Sequence, residues 1–176
     1  MENFNFIITC NRGQEFHAVF EVEHVFSLVG DKSVKVWESG IRGLLLARTS
    51  LDPIHAIRSI KRLADERIDI FNLTLRYIPI LTVVKTDINE MKSAVKELAS
   101  LIKPDESFRV TVEKRRTSLH SRDIIIALAD IVDRRVDLKN PDKVILVEVI
   151  GGVTGISIVR PDDILSITLL KRKHEF

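Results

Sequence analysis

The chain has 176 residues, of which 45% are hydrophobic and 30% charged. That is enough to bury the core of one ordinary domain or two small ones, and too apolar for intrinsic disorder. No apolar run reaches the ~18 residues that a membrane span needs, and Met1 to Cys10 lacks the basic start and cleavage site of an export leader. Phe4 to Thr9 alternates Phe4, Phe6 and Ile8 on one face and reads as a strand. Residues 14–29 read as a helix with Ala18, Val22, Val25 and Val29 on one side, ended by Gly30-Asp31. Val34 to Glu38 and Leu44 to Arg48 read as a hairpin about the Ser39–Gly43 turn. Asp52-Pro53 supplies an N-cap and a first helical residue for a second helix, with Ile57, Ile60 and Ala64 inward. Thr74 to Ile80 is a fourth strand.

This order is strand–helix–strand–strand–helix–strand, the ferredoxin-like βαββαβ pattern, and it predicts a first domain over 1–80. Asp87-x-x-Glu90 then opens a helix running to about Ile102. Phe108, Val110 and Val112 alternate as a strand. Ser121 to Arg135 reads as an amphipathic helix burying Ile124, Ile125, Leu128, Ile131 and Val132. Val144 to Ile150 is apolar enough to be buried on both faces. Gly151-Gly152 turns it, and Gly155 to Arg160 returns. Ile164 to Leu169 reads as a last short strand, and Lys171 to Phe176 as a loose tail. A second α/β domain over 81–172 and a tail over 173–176 follow, so the fold class is α+β.

The net charge of +2 is small, but the excess cations lie in residues 81–176, 17 against 15 acids. They are densest where Arg109, Lys114, Arg115, Arg116 and Arg122 face only Glu113. Lys114, Arg115 and Arg116 end a strand, and a helix start follows with free backbone N–H groups. Phosphate suits such a place, with Thr117, Ser118, His120 and Ser121 nearby to add hydrogen bonds. The same residues also suit a solvated loop with Ser118 or Ser121 as a plain N-cap. A second basic stripe, Arg58, Lys61 and Arg62, lies at helical spacing on the outward face of the second helix. It reads either as an extension of an anion track or as an ordinary soluble surface.

Other candidates are weaker. His17, Glu21 and His24 share one helix face and could hold a metal, though no fourth ligand is evident. Gly151-Gly152-Val153-Thr154-Gly155 lacks the Lys-Ser/Thr ending of a phosphate loop and joins two strands, so it reads as a hairpin turn. Gly152 or Gly155 could also let a nucleic-acid backbone come close. Cys10 is the only cysteine, which excludes an internal disulfide and fits a reducing cytoplasm. No nucleophile motif or poised acid–base pair is seen, and no cofactor is expected.

Phe108-Arg109-Val110-Thr111-Val112-Glu113-Lys114-Arg115, the Ser118–Arg122 helix start, Asp137-Leu138-Lys139-Asn140-Pro141 and the Val147–Gly151 and Gly155–Pro161 stretches together resemble a THUMP domain. The resemblance implies an RNA-binding module of the tRNA-modification proteins, joined to a small ferredoxin-like domain and gripping the acceptor stem and 3′ end of tRNA. Leu44 to Pro53 and Leu75 to Ile80 are similar to the stand-alone subgroup, and the chain's end at Phe176 fits it. That subgroup implies a non-catalytic cytoplasmic adaptor. It presents tRNA to a separate enzyme, a tRNA cytidine acetyltransferase or another tRNA-modifying enzyme. Two alternatives stay open: a small enzyme with an unrecognised, metal-dependent site at His17, Glu21 and His24, or a protein–protein scaffold that does not touch RNA.

Overall fold

Alternation of apolar residues places β1 (Phe6–Cys10) in the centre of a sheet, in a computed structural model that describes residues 3–175. The chain continues through α1 (Glu15–Leu28), β2 (Lys35–Glu38), β3 (Leu44–Arg48), α2 (Pro53–Glu66) and β4 (Thr74–Pro79). The element order is the one read from the sequence. Local chemistry fixes the ends: the Asp52 carboxylate accepts the His55 N–H at 2.9 Å, and Pro53 fills the first turn of α2. Strands β4, β1, β3 and β2 lie side by side in that order, and each neighbouring pair is antiparallel. Phe6, Ile8, Leu45 and Tyr77 on one sheet face pack with Val22, Val25, Phe26, Ile57 and Ile60 from α1 and α2. Full burial of each such side chain is worth about 1.5–3 kcal/mol.

The second unit spans residues 80–161 and has its own core. It runs β5 (Thr82–Lys85), α3 (Ile88–Leu98), β6 (Ser107–Arg115), α4 (Ser121–Asp130), β7 (Arg135–Val136), β8 (Lys143–Ile150) and β9 (Val153–Val159). The sheet order is β5-β9-β8-β6-β7, with β6 parallel to both β8 and β7 and the other pairs antiparallel. Met91, Ala94 and Val95 of α3 and Ile124 and Leu128 of α4 pack on Ile145, Val147, Val149, Ile156 and Ile158. Residues 144–150 of β8 are buried on both faces, as a run that is apolar but for Glu148 suggests.

Two local expectations are corrected. The fourth strand stops at Pro79, and β5 is a separate strand in the second sheet. The helix from Ser121 ends at Asp130, five residues early, because Arg135-Val136 is recruited as an edge strand on β6. Arg134 fastens the bend by donating to the carbonyls of Ile102, Lys103 and Asp133.

The largest difference is at the C-terminal end. Residues 162–175 belong to the first unit, not to the second domain and a tail. β10 (Leu165–Ser166) pairs with β4, and α5 (Ile167–His174) follows. Leu165 and Ile167 enter the first core, and the Ser166 hydroxyl caps α5 by accepting the Leu169 N–H. Phe176, placed in the tail by the sequence reading, lies outside the described residues.

Candidate nucleic-acid interface

The basic segment after β6 is shaped by strand alternation. Lys114 and Arg115 point to opposite faces of the sheet. Lys114 is exposed, and its Nζ donates to the Leu119 carbonyl at 2.9 Å, tying the loop to the strand. Arg115 turns the other way. Its Nη1 lies 2.8 Å from Oε2 of Glu148, with side-chain exposures of 20% and 1%. Arg115 therefore serves as the charge partner of a buried carboxylate, a role the sequence reading, which set it among the phosphate-holding residues, did not foresee. Glu148 was missed from sequence because it is a lone acid inside an apolar strand, 33 residues from its partner.

Arg116 is exposed and sits at φ +55°. A non-glycine residue there costs roughly 1–2 kcal/mol. Thr117 turns inward enough for its hydroxyl to accept the Leu119 N–H at 3.2 Å. Ser118 and His120 are exposed, as is Arg122 in the first turn of α4. His120 occupies the N-cap of α4, with no side-chain cap, so neither Ser118 nor Ser121 plays the capping role. The outcome is a short loop that presents Lys114, Arg116 and Arg122, two polar side chains and the positive end of a helix dipole. Asp137 and Asp142 are structural: Asp137 accepts the N–H groups of Lys139 and Asn140, and Asp142 accepts the Ser107 N–H at 2.8 Å.

The second stripe comes apart. Arg58 forms a forked contact with Asp163, at 3.1 and 3.3 Å, whose side chain is 4% exposed. The bonded carboxylate raises the Arg58 pKa. Lys61 donates to the Asp162 carbonyl at 2.6 Å. Arg62 is exposed and donates to Ser59 Oγ within its own helix. Of the expected anion track over Arg58, Lys61 and Arg62, the returning segment thus supplies acids to Arg58 and Lys61, although Arg58 keeps 46% of its side-chain surface, while Arg62 bonds within its own helix.

The metal candidate is also reassigned. The Glu21 carboxylate accepts the N–H groups of Asn72, Leu73 and Thr74 at 2.8, 3.0 and 2.7 Å and the Thr74 hydroxyl at 2.6 Å. It holds the turn into β4, and among the described residues no group of three or more His, Cys, Asp or Glu side chains is arranged to hold a metal. Burial and the nearby Glu15, Glu38 and Glu21 push the Cys10 thiol up to about 11, which leaves little thiolate at neutral pH. Gly155 is explained by packing: a Cβ there would lie 3.0 Å from Ile80 Cδ1. Gly151, at φ +59°, makes the β8–β9 turn. No helix among the described residues is long and apolar enough to cross a membrane.

The THUMP domain model matches residues 85–159, so a THUMP domain is present within the second unit and contains the whole basic loop. An uncharacterised protein of Methanocaldococcus jannaschii is 28% identical over 172 residues, 95% of this chain and 44% of its own length. A protein of Pyrococcus horikoshii of known structure has a TM-score of 0.62 at 16% identity, over 90% of this chain and 55% of its own. TrmN of Thermus thermophilus gives 0.56 at 14%, over 89% and 45%. A 4-thiouridine synthetase solved as an RNA complex with bound ATP gives 0.53 at 19%, over 90% and 42%. These structures share the fold. The chain spans about half the length of the relatives it matches.

Proposed function

We propose that this THUMP-domain chain binds tRNA at its acceptor stem and single-stranded 3′ end, and presents it to a separate modifying enzyme. The observation that carries the reading is the loop after β6, within the matched residues 85–159, where Lys114, Arg116 and Arg122 stand exposed around the start of α4. Phosphates suit that combination, and A-form RNA is read mostly through its shape, backbone and unpaired ends. The left-handed Arg116 adds weight, since strained non-glycine positions cluster at binding sites. Ser118 and His120 are positioned to add hydrogen bonds.

The adaptor part of the reading has separate support. Glu21, the carboxylate of the metal-dependent alternative, is given to a backbone turn. The partner we favour is a tRNA cytidine acetyltransferase, on the likeness of Leu44 to Pro53 and Leu75 to Ile80 to the stand-alone adaptors, with the acetyl-transfer chemistry in that enzyme and the setting the cytoplasm. We read the first unit as ferredoxin-like on its element order and its β4-β1-β3-β2 sheet.

The test is binding of the full chain to intact tRNA and to tRNA lacking its 3′ single-stranded end, across salt. Intact tRNA is expected to bind more tightly. K114A/R116A/R122A is expected to weaken binding and to flatten the salt slope by about 0.7–0.9 log units for each phosphate no longer neutralised. Absence of tRNA binding by the wild-type chain would overturn the reading and favour a scaffold.

A further inference from the structure

We infer that α5 is a second phosphate-backbone contact for the RNA, on the first unit, taking the place that the sequence assigned to α2. The inference rests on the tRNA-binding reading and adds a site to it. Lys171, Arg172, Lys173 and His174 fill the last turn of α5, and Glu175 is the acid that follows. Arg172, Lys173 and His174 are exposed, and Lys171 is half-buried. None of the three Lys and Arg side chains forms an ion pair with an acid among the described residues.

The contrast with α2 is physical. Asp162 and Asp163, which precede β10, are spent on Lys61 and Arg58. Those acids neutralise the α2 stripe and leave the α5 cations uncompensated. A loose basic tail would lose conformational entropy on binding, but α5 is already ordered. Leu165 and Ile167 are in the core, Leu170 packs against it, and Ser166 caps the helix. Arg172 and Lys173 fall three and four residues after Leu169, on one exposed face. Cations at a helix C-terminus also favour the helix dipole, but that effect falls off within one turn and gives no reason for a run of three. An ordered turn carrying exposed cations, none paired with an acid, matches a polyanion backbone.

The experiment compares tRNA affinity against salt for the wild-type chain, R172A/K173A, the charge-keeping R172K/K173R, and R58A/K61A. R172A/K173A is expected to flatten the salt slope by about 1.4–1.8 log units, as two phosphates would. R172K/K173R is expected to keep the wild-type slope, and R58A/K61A to leave it unchanged while lowering stability. Circular dichroism is expected to show R172A/K173A folded, since both positions are exposed at a helix end. If R172A/K173A keeps the wild-type slope while K114A/R116A/R122A flattens it, the α5 site is wrong and the THUMP site stands. If the wild-type chain binds no tRNA, both fall. If anionic phosphatidylserine vesicles, and not tRNA, lose binding in R172A/K173A, the helix is a lipid contact and the RNA inference is overturned.

Discussion

Replacing Arg115 by alanine is expected to unfold the protein more easily, and only secondarily to touch RNA. The pair it forms with Glu148 is short, 2.8 Å, and the Glu148 side chain is 1% exposed. Removing one member of a buried pair leaves the other charge without that compensation, at about 3–5 kcal/mol. Arg115 keeps 20% of its side-chain surface, so water recovers part of the loss, and the cost falls at the lower end, about 3 kcal/mol. For a chain of this length that is a drop of roughly 6–12 °C in melting temperature. The assay is thermal and urea unfolding followed by circular dichroism at pH 7, with tRNA affinity measured where both proteins are folded. R115M/E148M, which removes both charges and keeps apolar bulk, is expected to recover most of the stability. If R115A melts within about 2 °C of the wild type and yet loses tRNA, the reasoning fails and Arg115 is a phosphate ligand. A joint K114A/R115A/R116A variant mixes folding with binding and cannot separate them.

Other consequences are equally direct. Glu21→Gln removes the charged acceptor of three N–H groups and a hydroxyl and is expected to cost about 2 kcal/mol in urea unfolding; a chelator is expected to leave the wild-type melting temperature unchanged, and a drop would restore the metal reading. Gly155→Ala forces a Cβ to 3.0 Å from Ile80 Cδ1, at about 1–3 kcal/mol of overpacking, and adding I80V should return part of it. Asp31 gives a pH signature. Burial would raise its pKa, but the Thr49 hydroxyl and the Ser50 and Ser33 groups that donate to it hold it below the ordinary value. Its stabilisation is therefore present above the unfolded pKa near 3.9 and is lost as pH falls through the lower folded value. Asp31→Asn should lower stability at pH 7 and flatten the decline below about pH 4; an unchanged acid profile would count against it.

What could be read from the sequence was local. Asp52-Pro53 announces α2 because cap and first turn are adjacent residues, and β8 announces its burial because six of its residues 144–150 are apolar. The loop from Lys114 to Arg122 was legible as a basic segment beside a helix start. What was not legible is which cations are already spoken for. Arg58 meets Asp163 across 105 residues, and Arg115 meets Glu148 through a parallel strand pairing that no short-range pattern encodes. α5 was read as strand and tail because Ile164, Ile167 and Thr168 are β-branched. The usable signals were Ser166 as a cap and four basic residues closing the segment.

The return of residues 162–175 to the first sheet has a consequence for biosynthesis. A ribosome delivers β1 through β4 first, but β4 keeps a bare edge until Leu165 and Ser166 emerge. The inserted THUMP unit is finished in the meantime, so the unit that begins the polypeptide is the last to close. A nascent chain halted after Pro161 would carry a completed THUMP unit on an unfinished neighbour. Quality control would then meet a molecule with its inserted unit closed and its first sheet still open to strand addition.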